Sequence, residues 1–164
     1  MNNSTELPQA KTSEVSVLLN PAFCAEILCR FIDGYDKNNG VDFLILFFVL
    51  PIVTHPKTEE IMSLHPKTKL LEVLKEYPEI KFNIKERIEN FMPITRSALI
   101  FAIAHKAIEF DEAGKCKLIP KYQKKGGKFN GYKTKEYFDL SSRFGKKCSI
   151  YYSATMFYLL GISP

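Results

Sequence analysis

Apolar and polar positions follow two different periods along this chain, and the points where a period starts, stops or changes mark its elements. Residues 1–15 are polar without periodicity and read as a flexible tail. Asn20-Pro21 then opens a helix, because asparagine caps the free amides of a first turn and proline suits the first helical position, where its missing N–H goes unneeded. Phe23, Ile27, Leu28, Phe31 and Ile32 recur at steps of three and four and predict one apolar stripe. Glu26, Arg30 and Asp33 fall on another face, and Gly34, Asn38, Asn39 and Gly40 end the element.

Residues 41–50 are apolar on nearly every side and must be surrounded, in the core or at an interface. Their length and the following Pro51-Ile52-Val53-Thr54-His55 favour a helix with Pro51 near a kink or its end. After residues 57–62, a third helix is predicted over 66–77 with Leu70, Leu71 and Leu74 inward, closed by Pro78. A fourth, over 84–92, carries Ile84, Ile88 and Phe91 and stops at Pro93; Thr95 caps a fifth over 96–107.

There the period changes from helical to alternating. Ile108-Glu109-Phe110 and Lys117-Leu118-Ile119 flank Asp111-Glu112-Ala113-Gly114 and predict a β-hairpin. A basic, glycine-containing loop follows over 120–134, then helices over 135–147 and 150–160. The fold class is therefore mainly α (α+β): one helical domain over 16–164, with a winged-helix-like helix-helix-hairpin unit and C-terminal helices.

The chain has 164 residues, 46% hydrophobic and 25% charged, which suits one domain and excludes a chain disordered throughout, a collagen-like fibre or a disulfide miniprotein. Cys24, Cys29, Cys116 and Cys148 form no paired C-x-x-C and read as reduced, structural thiols. No cationic start followed by an apolar stretch marks a secretion signal, and the apolar run at 41–53, broken by Asp42 and Pro51, is short of the roughly 20 residues that span a bilayer. A cytoplasmic protein without membrane partners is expected.

The net charge of +5 conceals a division. Residues 115–147 hold 11 Lys or Arg against Glu136 and Asp139, a net +9, while residues 1–114 carry −4. Lys121, Lys124, Lys125, Lys128, Lys133, Lys135, Arg143, Lys146 and Lys147 are thus candidates to meet DNA phosphates by counterion release or an acidic partner by steering. A solvated loop is the plainer alternative.

Catalytic signatures are not evident. His55, His65 and His105 lack ligand-like spacing, and no G-x-S-x-G, H-E-x-x-H or phosphate-cradling loop occurs, so no catalytic residue, metal ligand, cofactor or small-molecule substrate is expected. The fifth helix, as the recognition helix of a winged unit, offers only Arg96, Ser97, His105 and Lys106 to base edges, which argues against sequence-specific reading. Aromatics make up 13% of the residues, and Phe47, Phe48, Tyr151, Tyr152 and Tyr158 are candidates for a partner-protein interface because one small core cannot hide them all.

Four fragments in order resemble the middle components of bacterial three-component ABC-ATPase (ABC-3C) systems, the group that includes the Lamassu small subunit: Asn20-Pro21-Ala22-Phe23, Phe47-Phe48-Val49-Leu50-Pro51, residues 87–99 from Arg87-Ile88-Glu89 through Pro93-Ile94-Thr95, and Leu159-Leu160-Gly161-Ile162-Ser163-Pro164. Where that family commonly has a Gly-Arg-Trp-Phe-like segment, this chain has Ser142-Arg143-Phe144-Gly145 and no tryptophan. The resemblance implies a non-enzymatic adaptor joining an SMC/Rad50-like coiled-coil ATPase to an effector, often a nuclease, in anti-phage or anti-plasmid defence, with ATP and Mg²⁺ belonging to the partner and DNA sensed by the assembly. A DNA-binding protein using the hairpin and basic loop on phosphates is the competing reading.

Overall fold

A computed structural model describes residues 19–36, 39–123 and 134–162, so the tail expected over 1–15 and the centre of the basic loop lie outside the description. The elements in order are α1 (Pro21–Tyr35), β1 (Val41–Asp42), a 3-10 turn (Phe43–Ile45), α2 (Leu46–Val53), α3 (Pro56–Leu64), α4 (Leu70–Glu76), a second 3-10 turn (Pro78–Lys81), α5 (Ile84–Ala104), β2 (Ile108–Phe110), β3 (Lys115–Leu118), α6 (Pro120–Gln123), α7 (Thr134–Cys148) and α8 (Ser153–Leu160). The chain is mainly α with a small antiparallel sheet, as its patterning predicts.

Helix α1 begins as its capping chemistry requires: Asn20 Oδ1 accepts from the Ala22 amide at 2.8 Å and the Phe23 amide at 3.4 Å, with Pro21 in the first turn. It is buried almost all round, from Phe23 to Cys29 and again at Phe31 and Ile32, because α7, α5 and α2 all pack on it. Glu26, placed by its spacing off the apolar stripe, is buried too. Its Oε1 takes the Arg30 Nε–H at 2.7 Å, and the Tyr122 hydroxyl donates to its Oε2, so the carboxylate is paired on both oxygens. Arg30 in turn lies over the Phe138 ring of α7, 5.6 Å from its centroid.

Gly34, read as part of a helix stop, is inside α1 and serves a different purpose. A Cβ there would sit 2.1 Å from the Ser142 carbonyl oxygen, and one at Gly145 would sit 2.3 Å from the Phe31 carbonyl oxygen. The two glycines let the backbones of α1 and α7 touch, which also brings Ser141 Oγ to 2.7 Å from the Ile27 carbonyl oxygen and the Phe31 and Phe144 rings to 5.4 Å.

The hairpin forms where alternation predicts it. Asp111 Oδ1 accepts from the Ala113 and Lys115 amides at 3.0 and 2.9 Å, Gly114 takes the positive φ of 73° that the turn needs, and Lys117 Nζ lies 3.0 Å from Asp111 Oδ2. A third strand joins it: Val41 pairs with Cys116 and Asp42 with Lys115, giving the order β1-β3-β2. Residues 41–53 therefore form a strand, a 3-10 turn and then α2, with Pro51 inside α2, where a single helix was expected.

Two further helix boundaries differ from the sequence expectation. The separate helices over 84–92 and 96–107 are one, α5, running through Pro93. Proline removes one backbone donor, but here its ring faces solvent and Ser97 Oγ donates to its carbonyl oxygen at 3.0 Å; Thr95, expected as a cap, is buried mid-helix. The helix expected over 66–77 begins only at Leu70, because the preceding carbonyls of His65, Pro66 and Thr68 all turn onto the Lys147 ammonium, at 2.9 and 3.2 Å for the first two.

Candidate functional site

Among the described residues, an apolar groove of about 380 Å³ opens beside α5, which forms its long wall. Its opposite wall comes from the 3-10 turn after β1 and the start of α2, with Phe43, Leu44 and Phe47, and from α8 and the residues just after it, with Phe157 and Ile162. Ile88 and Met92 contribute the floor from α5, with Phe48 beneath. Leu44 remains 52% and Phe43 39% exposed, values that a side chain with an apolar destination inside the fold does not retain.

The groove has a rigid frame. Phe48 meets Phe157 edge to face at 4.9 Å, Phe43 meets Phe47 at 5.2 Å, and Phe43 also meets Phe110 of β2 at 5.7 Å, so an aromatic row extends the apolar surface to the sheet. Behind it, Arg87 is half-buried and ties three elements together: its Nη1 donates to the Ile80 and Phe82 carbonyl oxygens at 2.8 and 3.2 Å, and its Nη2 to that of Pro51. Burial holds this guanidinium below its ordinary pKa. The neighbouring His55 is also held low, by burial first and then by Arg87 and Lys57, and its buried Nδ1 has no hydrogen-bond partner among the described residues.

Among the described residues, three charged side chains, Lys85, Glu89 and Arg96, rim the groove, all from α5 and all exposed. At 1.5 Å per residue, Lys85 and Arg96 are separated by about 16 Å along the helix.

The expected interface residues do not lie together. Phe47 and Phe48 border the groove, Phe48 as part of the core. Tyr151 is structural, its carbonyl oxygen accepting from Tyr35 Oη and its own hydroxyl from the Leu71 amide, both at 3.4 Å. Tyr151 and Tyr152 line a separate polar cleft with Asp36 and Lys115; Tyr152 is 86% exposed, and Tyr158, 83% exposed, borders neither cavity.

Among the expected basic residues, Lys135 and Lys146 are exposed on α7, sharing their face with Glu136 and Asp139. Arg143 is half-buried, its Nη2 3.4 Å from Ser63 Oγ. Lys147 is only 9% exposed, its ammonium consumed by the three carbonyls that shape the approach to α4, and burial lowers its pKa. The side chain of Lys121, and Lys124, Lys125, Lys128 and Lys133 altogether, lie outside the described residues.

Sequence reasoning missed Ile88 and Met92 as surface-forming residues. Reading α5 as two helices hid the signal: Lys85, Glu89, Met92 and Arg96 follow one another at helical spacing along one continuous face.

The thiols have no reactive setting. Cys24, Cys29, Cys116 and Cys148 are free and buried, and burial pushes Cys24 and Cys116 up to about 12 and the other two upward as well. Among the described residues no group of three or more His, Cys, Asp or Glu could hold a metal ion, and no helix is long and apolar enough to cross a membrane. No curated protein and no solved structure matches the chain. A family model does, over residues 9–164, and with nearly the whole chain inside that match this protein belongs to the ABC-three component (ABC-3C) system Middle Component 3 family.

Proposed function

We propose that this middle component is a non-enzymatic adaptor that joins a coiled-coil ATPase of the SMC/Rad50 type to an effector, often a nuclease, in a cytoplasmic, Lamassu-type bacterial defence complex. Membership in a three-component family supports protein partners, and the observation that carries the reading is the open groove beside α5, a framed and concave apolar surface. ATP and Mg²⁺ belong to the ATPase component in this reading, and the middle component contributes surfaces.

The competing reading takes the helix-helix-hairpin order over 84–119 as a winged-helix unit that meets DNA phosphates, helped by Lys135, Lys146 and the rest of the 115–147 segment, although its two helices are the single helix α5. The exposed side of α5 speaks against a leading role for DNA: its two cations, Lys85 and Arg96, are interspersed with Glu86 and Glu89 and with exposed Ile100 and Ile103, a mixed face without the net positive charge that a phosphate backbone needs. Co-expression of the full chain with the ATPase component of its own system tests the adaptor reading. A stoichiometric complex on affinity purification and light scattering is expected. A chain that stays alone beside a folded ATPase, yet binds a short duplex with affinity falling steeply with log[salt], overturns it.

A further inference from the structure

The groove is specific enough to say what kind of partner segment it takes. Its walls are α5, α8 and the turn leading into α2, whose backbone groups are already used within their own helices. A β-strand laid there would find no sheet edge to pair with and would leave its own amides unpaired against an apolar floor, and a proline-rich segment, though it needs no such pairing, has no use for a rim of three charges on one helix face. A helix brings its backbone bonds with it. We infer that the groove receives one amphipathic helix from another component of the same system, seated against α5.

Charge narrows this further. Lys85 and Arg96 mark the two ends of the rim, eleven residues apart and about 16 Å along α5, while Glu89 lies between them, nearer Lys85. A facing helix of three turns matches that length. Its complement carries acidic residues eleven apart, a basic residue between them four from one acid and seven from the other, and apolar anchors at i, i+3 or i+4, and i+7 pointing at Ile88, Met92 and Phe157. The anchors supply affinity, and the three exposed charges, each individually weak, set register and direction. A second copy of this chain lacks such a segment among its described helices: α7 has Lys135 and Lys146 eleven apart, the wrong sign for Lys85 and Arg96.

This inference rests on the adaptor reading, and the test separates the two. The full chain, with a benzophenone amino acid in place of Met92, is co-expressed with the ATPase and effector components, purified, irradiated and mapped by mass spectrometry. The expected crosslink falls in a partner helix with the acid-base-acid spacing, and the exposed-site double variant Lys85→Glu/Arg96→Glu weakens assembly about tenfold, restored when the two partner acids become lysines. Met92→Glu in a chain with unchanged far-UV circular dichroism weakens assembly about 30-fold or more, as for a central anchor. A complex that forms while the crosslink lands on a second copy, on a non-helical segment or nowhere overturns the helix inference and leaves the adaptor reading standing. Absence of any complex overturns both.

Discussion

Replacing Gly145 by alanine sets two opposing effects against each other, and the α1–α7 crossing decides between them. In an isolated helix interior, Gly→Ala is stabilising by roughly 1 kcal/mol, through lower unfolded-chain entropy and better helix propensity. Here the new Cβ meets the Phe31 carbonyl oxygen at 2.3 Å and the Tyr35 nitrogen at 2.9 Å. Both neighbours are backbone, so relief requires the helices to part by about 1 Å, and a gap of that size forfeits about a quarter to a half of each dispersion contact across the seam. The Phe31–Phe144 contact loosens, and the Ser141 hydroxyl, 2.7 Å from the Ile27 carbonyl oxygen, is drawn beyond hydrogen-bonding range. Overpacking costs about 1–3 kcal/mol and the stretched buried hydrogen bond about 1–3 more, so the net effect after the propensity gain is a loss of about 1–5 kcal/mol. For a chain of this size that lowers Tm by roughly 2–20 °C. Urea and thermal denaturation followed by far-UV circular dichroism suit a protein without tryptophan. Gly34→Ala, whose Cβ meets the Ser142 carbonyl oxygen at 2.1 Å, behaves alike, and the double variant costs less than the sum because one separation relieves both clashes. A Tm that rises by a few degrees on Gly145→Ala would refute this account of the crossing.

Three other outcomes are expected. Lys147→Met removes the ammonium from three inward-turned carbonyls and lowers stability by about 1–3 kcal/mol in urea unfolding, with the loss centred on residues 65–70 in hydrogen exchange; unchanged protection there would contradict the assigned role. Tyr122→Phe leaves buried Glu26 with Arg30 alone and costs about 1–3 kcal/mol, and a neutral result would show that the Tyr122 hydroxyl does not matter to that carboxylate. His55 has a folded pKa below its ordinary 6.5, through burial first and then Arg87 and Lys57, with Glu79 acting the other way, so the unfolded chain binds that proton more readily; stability is full above the ordinary pKa and falls as pH drops below about 6.5. His55→Gln should flatten the Tm profile between pH 7 and 5, where Asp111, held below its ordinary 3.8 by the Lys115 amide and Lys117, is already ionised; an equally steep profile would remove His55 from the explanation.

Local chemistry alone determined much of this protein. The Asn20 cap and Pro21, the stripe from Phe23 to Ile32, the Asp111–Gly114 turn and the switch from helical to alternating period are decided within a few residues, where steric and hydrogen-bonding rules act directly, and each element forms where those rules place it. The surplus of apolar residues around 41–50 also predicted that some would stay outside the core, and Phe43 and Leu44 do remain exposed.

The tertiary structure decided what distance along the chain conceals. Pro93 lies inside α5, with its ring exposed, so a residue that usually breaks helices instead belongs to one continuous wall held by the packing of the buried Ile84, Ala98, Leu99 and Ala102 on either side of it. Gly34 and Gly145 are a matched pair only because α1 and α7 cross at that level, and Lys147 leaves the basic surface only because the carbonyls of residues 65–68 converge on it. The groove itself joins residues from the segments around 43–48, 85–96 and 157–162. No single segment carries its shape: a concave surface is a relation between elements, set by how their side chains pack, and period and composition describe one element at a time.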